Sequence, residues 1–133
     1  MGFKGTDEEK RKLINNIFVW SYIWGMGASL DERSKDRFDD CIRDVFKTVQ
    51  IPPTNSVYDF FFDLKKDKSF KPWSLRVPQF VYDKDIPYFE LLVPTTDTYR
   101  HAYCLELLLS REKPAFFTGF TGVGKSVVIQ NTL

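Results

Sequence analysis

Gly119-Phe120-Thr121-Gly122-Val123-Gly124-Lys125-Ser126 constrains this chain more than any other stretch. Its pattern, G-x-x-x-x-G-K-[ST], demands a strand, a phosphate-cradling loop and a helix in that order. The loop's backbone N–H groups would converge on a nucleotide's phosphates, Lys125 would reach the β- and γ-phosphates, and the Ser126 hydroxyl would ligate Mg²⁺. With glycine at about 7% of average composition, the pattern should arise by chance roughly once in several hundred chains of this length. The plainer alternative, a glycine-rich turn with an incidental lysine, is weakened by the flanks. Ala115-Phe116-Phe117-Thr118 is a short apolar run introduced by Pro114 and predicts a buried strand. Val127-Val128-Ile129 fits the opening of a buried helix, although alone it fits a strand equally.

A P-loop enzyme also needs an acidic residue at a strand end to hold Mg²⁺, and a polar residue to orient the attacking water. Those elements belong to strands that follow the loop's helix, and only Val127 to Leu133 follow here. The expectation is a nucleotide site without catalytic residues of its own. One upstream run, Tyr58-Asp59-Phe60-Phe61-Phe62-Asp63, mimics the acidic motif. Apolar runs ending in Asp are common in ordinary strands, and its place before the loop is the wrong chain order for a right-handed wound sheet. The structural reading is therefore preferred. Arg33, Arg37 and Arg43 could include an arginine facing a neighbouring phosphate, but a solvated helix face with an Asp39–Arg43 pair at i,i+4 is the plainer reading. Asp97 and Glu106 have no partner carboxylate suited to acid–base work.

The 133 residues leave room for one domain or two partial ones. Thirteen Phe, six Tyr and three Trp argue against disorder and hint at surface meant for a neighbour. A net charge of +1 gives no electrostatic case for nucleic acid or membrane. Lys65-Lys66-Asp67-Lys68 with Lys71 reads as a solvated hairpin tip. Cys41 and Cys104 are expected to be small core residues in a reducing compartment, and His101 lacks a metal-ligand partner. No signal peptide is visible, and Leu13 to Trp24 is too short to span a bilayer. A cytosolic protein is expected.

The fold class expected is an α/β fragment in three parts. Residues 1–53 form a helical, lid-like segment. Leu13, Ile14, Ile17, Phe18, Val19, Tyr22 and Ile23 recur at helical spacing, Trp20 and Trp24 extend the apolar surface nearly all round, and Gly25 and Gly27 stop the helix. Ser29 to Glu32 reads as a capping box for a second helix. Its stripe would be Phe38, Cys41, Ile42, Val45, Phe46 and Val49, and Pro52-Pro53 would end it. Residues 54–87 form an extended connector, with strands over Val57 to Leu64 and Leu75 to Tyr82 around a basic loop carrying Trp73. Its prolines favour an edge hairpin or wrapping linker. Residues 88–133 open the P-loop module. Tyr88 to Val93 is short and extended, and a helix capped by Thr95-Thr96-Asp97 runs to about Ser110.

These blocks carry a family likeness. Phe18 to Asp31, followed by Arg37-Phe38-Asp39, resembles the small lid ending the second AAA+ module of dynein heavy chains. Leu92-Val93-Pro94-Thr95-Thr96-Asp97-Thr98 and the P-loop resemble the opening of the third module. The likeness covers nearly the whole chain from about Leu13 and is nearest in character to axonemal heavy chains. It implies part of an AAA+ ring that turns ATP hydrolysis into minus-end-directed movement on microtubules in the cilium axoneme. The implied partners are the rest of the ring, other dynein subunits and, through the full motor, microtubules; ATP and Mg²⁺ are the implied cofactors. By the same likeness Val93 and Pro94 would lie against the adenine, and Arg37 matches a lid arginine facing the second module's nucleotide. Met1 and its polar lead-in suggest a truncated isoform, a partial gene model or a designed fragment, not catalytic on its own. The rival reading, motivated by the aromatic excess, is a small non-catalytic interaction protein with a vestigial P-loop.

Overall fold

Helix start signals set the first element. Thr6 and Glu9 form a reciprocal capping box, the Thr6 hydroxyl accepting from the Glu9 amide and the Glu9 carboxylate accepting from the Thr6 amide at 2.8 Å. Helix α1 therefore begins at Asp7 and runs to Met26, so most of the polar lead-in is helical. This computed structural model describes residues 5–85, 87 and 93–133. Gly25 lies inside α1, and Gly27 closes it with its amide bonded to the Ile23 carbonyl. Helix α2, Glu32–Val45, is capped by Asp31, not Ser29, the Asp31 carboxylate accepting from the Ser34 amide at 2.7 Å. Both signals were present in the sequence. Asp31 is adjacent to the first helical residue, and a carboxylate there also meets the positive end of the helix dipole.

The chain divides into two units, Met1–Pro72 and Trp73–Leu133. In the first, α1 packs on the three-residue 3₁₀ turn Val57–Asp59 and on strand β1, Phe60–Asp63. Strand β1 pairs antiparallel with β2, Ser69–Pro72, in the register Phe60 to Pro72 and Asp63 to Ser69. Phe60, Phe61 and Phe62 are all buried, so both faces of this short ribbon are covered. The hairpin is thus tighter than the sequence suggested: the second strand is Ser69–Pro72, not Leu75 to Tyr82. The turn is built by the Asp63 carboxylate, which accepts from the amides of Lys65 and Lys66. Lys65 to Lys68 form its exposed tip, as their charge requires.

Val19, Trp20 and Ile23 of α1 join Ile42 and Val57 in the core, whereas Ile14, Phe18 and Met26 stay exposed. The first helix is therefore one-sided. On α2, Ile42 is buried and Phe38 and Phe46 half-buried, but Cys41 and Val45 are exposed. The helix turns its Phe38 and Ile42 edge inward, which carries Cys41 and Val45 around to solvent. Phe18, Tyr22, Phe38 and Tyr58 make a chain of ring contacts with centroids 6.1 to 6.2 Å apart, which ties α1, α2 and the 3₁₀ turn together.

One carboxylate organises the passage from α2 to the hairpin. Asp39 accepts from Arg43 Nε at 2.5 Å and from the Val57 amide at 2.6 Å. Arg43 then donates to the carbonyls of Pro52 and Asn55, each at 2.9 Å. The expected i,i+4 pair is present, and Arg43 is committed to holding the proline turn.

In the second unit, a 3₁₀ turn at Trp73–Leu75 packs on helix α3, Thr96–Leu109, which packs in turn on helix α4, Lys125–Thr132. The Thr95 cap of α3 is where the sequence placed it, with Thr98 closing the box. Tyr88 to Leu92 lie outside the described residues. Ala115 to Thr118 form no strand, and Phe116 is 91% exposed. A strand needs a neighbour for its ladder, and among the described residues the only strands are β1 and β2, paired with each other in the first unit.

Two outcomes follow. A Cβ on Gly27 would sit 2.6 Å from the Phe38 ring and 2.7 Å from the Ile23 carbonyl, with the Tyr58 hydroxyl also in its way. Gly27→Ala should destabilise the first unit by about 1–3 kcal/mol in urea unfolding. The second concerns Cys104 on α3, where burial pushes the thiol up from 9.0 to about 12 against the pull of Arg100. At pH 8 exposed Cys41 should react with a thiol reagent at least about tenfold faster than Cys104. Because the folded-state value is raised, the contribution of Cys104 is fully present below about pH 9 and is lost as pH rises from there towards 12. Cys104→Ala should flatten the alkaline fall in stability.

Candidate nucleotide-binding site

The glycine loop has the backbone its sequence prescribes. Gly122 and Gly124 sit at φ 81° and 82°, left-handed values that a side chain resists, and space is open around both. Backbone conformation, not crowding, selects glycine there. Gly124 is also the N-cap of α4, and having no side chain it leaves the helix end unblocked. The helix's own ladder starts with the Val128 amide bonded to the Gly124 carbonyl at 3.0 Å. The amides of Lys125, Ser126 and Val127 therefore stand outside the ladder, at the positive end of the helix dipole. A helix start in this state, with a glycine loop folded over it, is suited to an anion.

Lys125 closes the loop. Its ammonium donates to the carbonyls of Gly119, at 3.0 Å, and Phe120, at 2.6 Å, drawing the first residues of the motif over the first turn of α4. The cation is thus held against the loop backbone. Ser126 is exposed in that first turn, its hydroxyl on a residue next to the free amides. A cation, free amides and a hydroxyl are the donor set for phosphate oxygens, with the hydroxyl able to serve a divalent ion. Thr121 and Val123 complete the loop and are exposed, with Val123 60% accessible and Phe120 89%.

The structure thus brings Gly119, Phe120, Thr121, Gly122, Val123, Gly124, Lys125 and Ser126 into one turn. Val93 and Pro94 lie apart in sequence, immediately before the Thr95 cap, with Val93 exposed and Pro94 half-buried. They relate to the loop through α3, the helix packed on α4. The acidic mimic has structural employment in the other unit. Asp59 caps the 3₁₀ turn through the Ser56 amide, and Asp63 builds the hairpin turn. Arg33 and Arg37 are exposed on α2. Among the described residues no cluster of His, Cys, Asp and Glu is arranged to hold a metal, and no helix is long and apolar enough to cross a membrane.

Sequence reasoning missed the Lys125 bonds to the loop carbonyls and the role of Trp73. Trp73 is fully buried, edge-to-face with Tyr103 of α3 at 5.3 Å, and Arg76 lies over the same tyrosine ring at 5.0 Å. The aromatic richness of residues 56 to 87 signalled burial but named no partner.

A one-sided helical segment with a hairpin, followed by a capped helix and a P-loop, defines a nucleotide-binding module preceded by a lid. Comparison with known proteins makes the assignment specific. The family model for the dynein heavy chain AAA lid domain matches residues 2–75, and that for the P-loop containing dynein motor region matches residues 80–133. Dynein axonemal heavy chain 6 of Homo sapiens is 40% identical over 124 residues, covering 91% of this chain and 3% of that protein. The ciliary dynein beta chain of Tripneustes gratilla is 34% identical over 127 residues, covering 92% and 3%. The flagellar outer arm dynein alpha chain of Chlamydomonas reinhardtii is 33% identical over 132 residues, covering 96% and 3%. The chain belongs to the dynein heavy chain family and carries part of its AAA+ motor region, as found in axonemal and ciliary dyneins. It spans about 3% of the length of these relatives. A P-loop motor region implies nucleotide binding, and the match supports the motor reading, giving nothing to the rival of a small docking protein.

Because Gly124 holds a left-handed backbone at the head of α4, Gly124→Ala should cost about 1–2 kcal/mol in the stability of the second unit. Thermal unfolding with circular dichroism reads it, and an equal melting temperature would contradict the loop geometry.

Proposed function

We propose that Gly119 to Ser126 hold the phosphates of ATP in an axonemal dynein heavy chain, at the third AAA+ module of its motor ring. The observation that carries this reading is the helix start at Lys125, where three amides stand outside the ladder while the Lys125 ammonium is held to the glycine loop by two of its carbonyls. The amides and Lys125 would bind and orient the phosphates, and the Ser126 hydroxyl would take a place beside Mg²⁺. The metal, when bound, supplies charge neutralisation at the phosphates. Val93 and Pro94, at the entrance to α3, are proposed to lie against the adenine. In this reading residues 1–53 are the lid end of the second module, 54–87 a connector and 88–133 the start of the third.

Nucleotide held here would bias closure of the module and gate a microtubule motor that moves towards the minus end in the ciliary axoneme. Its partners would be the other modules of the ring, further dynein subunits and microtubules. The 133-residue chain alone should bind Mg-ATP weakly and not hydrolyse it. Phe116, 91% exposed, shows that the segment leading into the loop has no sheet to hold it among the described residues.

The test uses the full heavy chain that carries this sequence. Lys125→Ala should remove one bound nucleotide per heavy chain after gel filtration in Mg-ATP, since the cation serving the β- and γ-phosphates is gone. Unchanged stoichiometry would refute the reading. Tight, Lys125-dependent calorimetric binding to the 133-residue chain would refute the narrower claim that the loop needs the ring.

A further inference from the structure

We infer that Trp73 and Arg76 are positioning residues for the phosphate loop, acting through Tyr103 and α3 on α4. The inference rests on reading Gly119 to Ser126 as a nucleotide site. Helix α4 has eight residues, of which Val128 is the buried one. A helix that short is not stable by its own hydrogen bonds, so its position is set by what it packs against. That neighbour is α3.

Helix α3 is held in turn by the Trp73–Leu75 turn. Trp73 is fully buried and meets the Tyr103 ring edge-to-face at 5.3 Å, with the two planes 64° apart. Arg76 lays its guanidinium over the same ring at 5.0 Å. The turn that presents both residues is closed by the Arg76 amide donating to the Trp73 carbonyl at 2.8 Å, with Val77 bonding the same oxygen. Tyr103 is thus clamped by two residues from one turn. A ring contacted by both an indole and a guanidinium cannot rotate or shift without losing one contact, which fixes the register of α3.

The family comparison makes this placement informative. Trp73 lies inside residues 2–75, the stretch matching the lid, yet it folds with the unit that holds the P-loop. The lid-matched sequence therefore contributes a side chain to the support of the following module's nucleotide site. No part of the loop motif itself would reveal that.

Hydrogen exchange of the α4 amides in the 133-residue chain reads the positioning directly, without nucleotide. Trp73→Ala should speed exchange of the Val128 and Leu133 amides about tenfold, and Trp73→Phe, which keeps a ring against Tyr103, should recover most of the protection. Arg76→Met, which removes only the cation and leaves the turn's backbone bonds, should speed it about threefold and guards against a Trp73→Ala chain that does not fold. Ile42→Ala, a core truncation in the first unit, should leave α4 exchange unchanged at matched temperature. Equal α4 exchange in Trp73→Ala, Arg76→Met and the parent would overturn the inference, as would an equal effect from Ile42→Ala. Failure of the nucleotide reading is seen separately, as a Lys125→Ala heavy chain that keeps its full complement of bound nucleotide.

Discussion

An eight-residue helix cannot hold itself in place, and the loop proposed to receive phosphate runs into the first turn of one. Helix α4 carries the three free amides, Lys125 and Ser126, so the geometry offered to a phosphate is only as firm as the contacts that seat α4 on α3. Two devices meet this constraint. Lys125 ties the loop to its own helix through the Gly119 and Phe120 carbonyls, and the aromatic cluster of Trp73 and Tyr103 steadies the helix beneath.

The first unit solves a different problem. Pro52, Pro53 and the short turn after them cannot bond their backbone in a regular ladder, yet they must bring β1 against α1. Asp39 and Arg43 supply the missing partners, one carboxylate taking the Val57 amide and one guanidinium reaching two carbonyls. The half-buried setting of this pair matters, because an exposed ion pair of the same geometry contributes little. The chain of rings from Phe18 to Tyr58 then joins both helices to the turn.

Local signals were the legible part of the sequence. The Thr95 cap, the glycine loop, the charged hairpin tip and the stripe of α2 through Phe38 and Ile42 all follow from chemistry within a few residues. What depended on distant partners was not legible. Asp31 displaced Ser29 because the helix starts two residues later than the box pattern implied. The second strand fell at Ser69–Pro72 because Asp63 tightens the turn, and this shifted Trp73 from a loop tip to the core of the other unit. Ala115 to Thr118 has strand composition, but composition does not provide a neighbouring strand. In the site, the loop's glycines and lysine were readable by type. The support from Trp73 and Arg76 was not, since neither the spacing nor the residue types name Tyr103 as partner.

The central claim is that the Gly119–Ser126 loop receives nucleotide phosphates. The most direct measurement is a structure of the full heavy chain carrying this sequence, determined at saturating Mg-ADP. The account predicts phosphate density within hydrogen-bonding distance of the Lys125, Ser126 and Val127 amides, with the Lys125 ammonium beside it. A well-ordered loop at this site without nucleotide, while other sites in the same ring are filled, would contradict it.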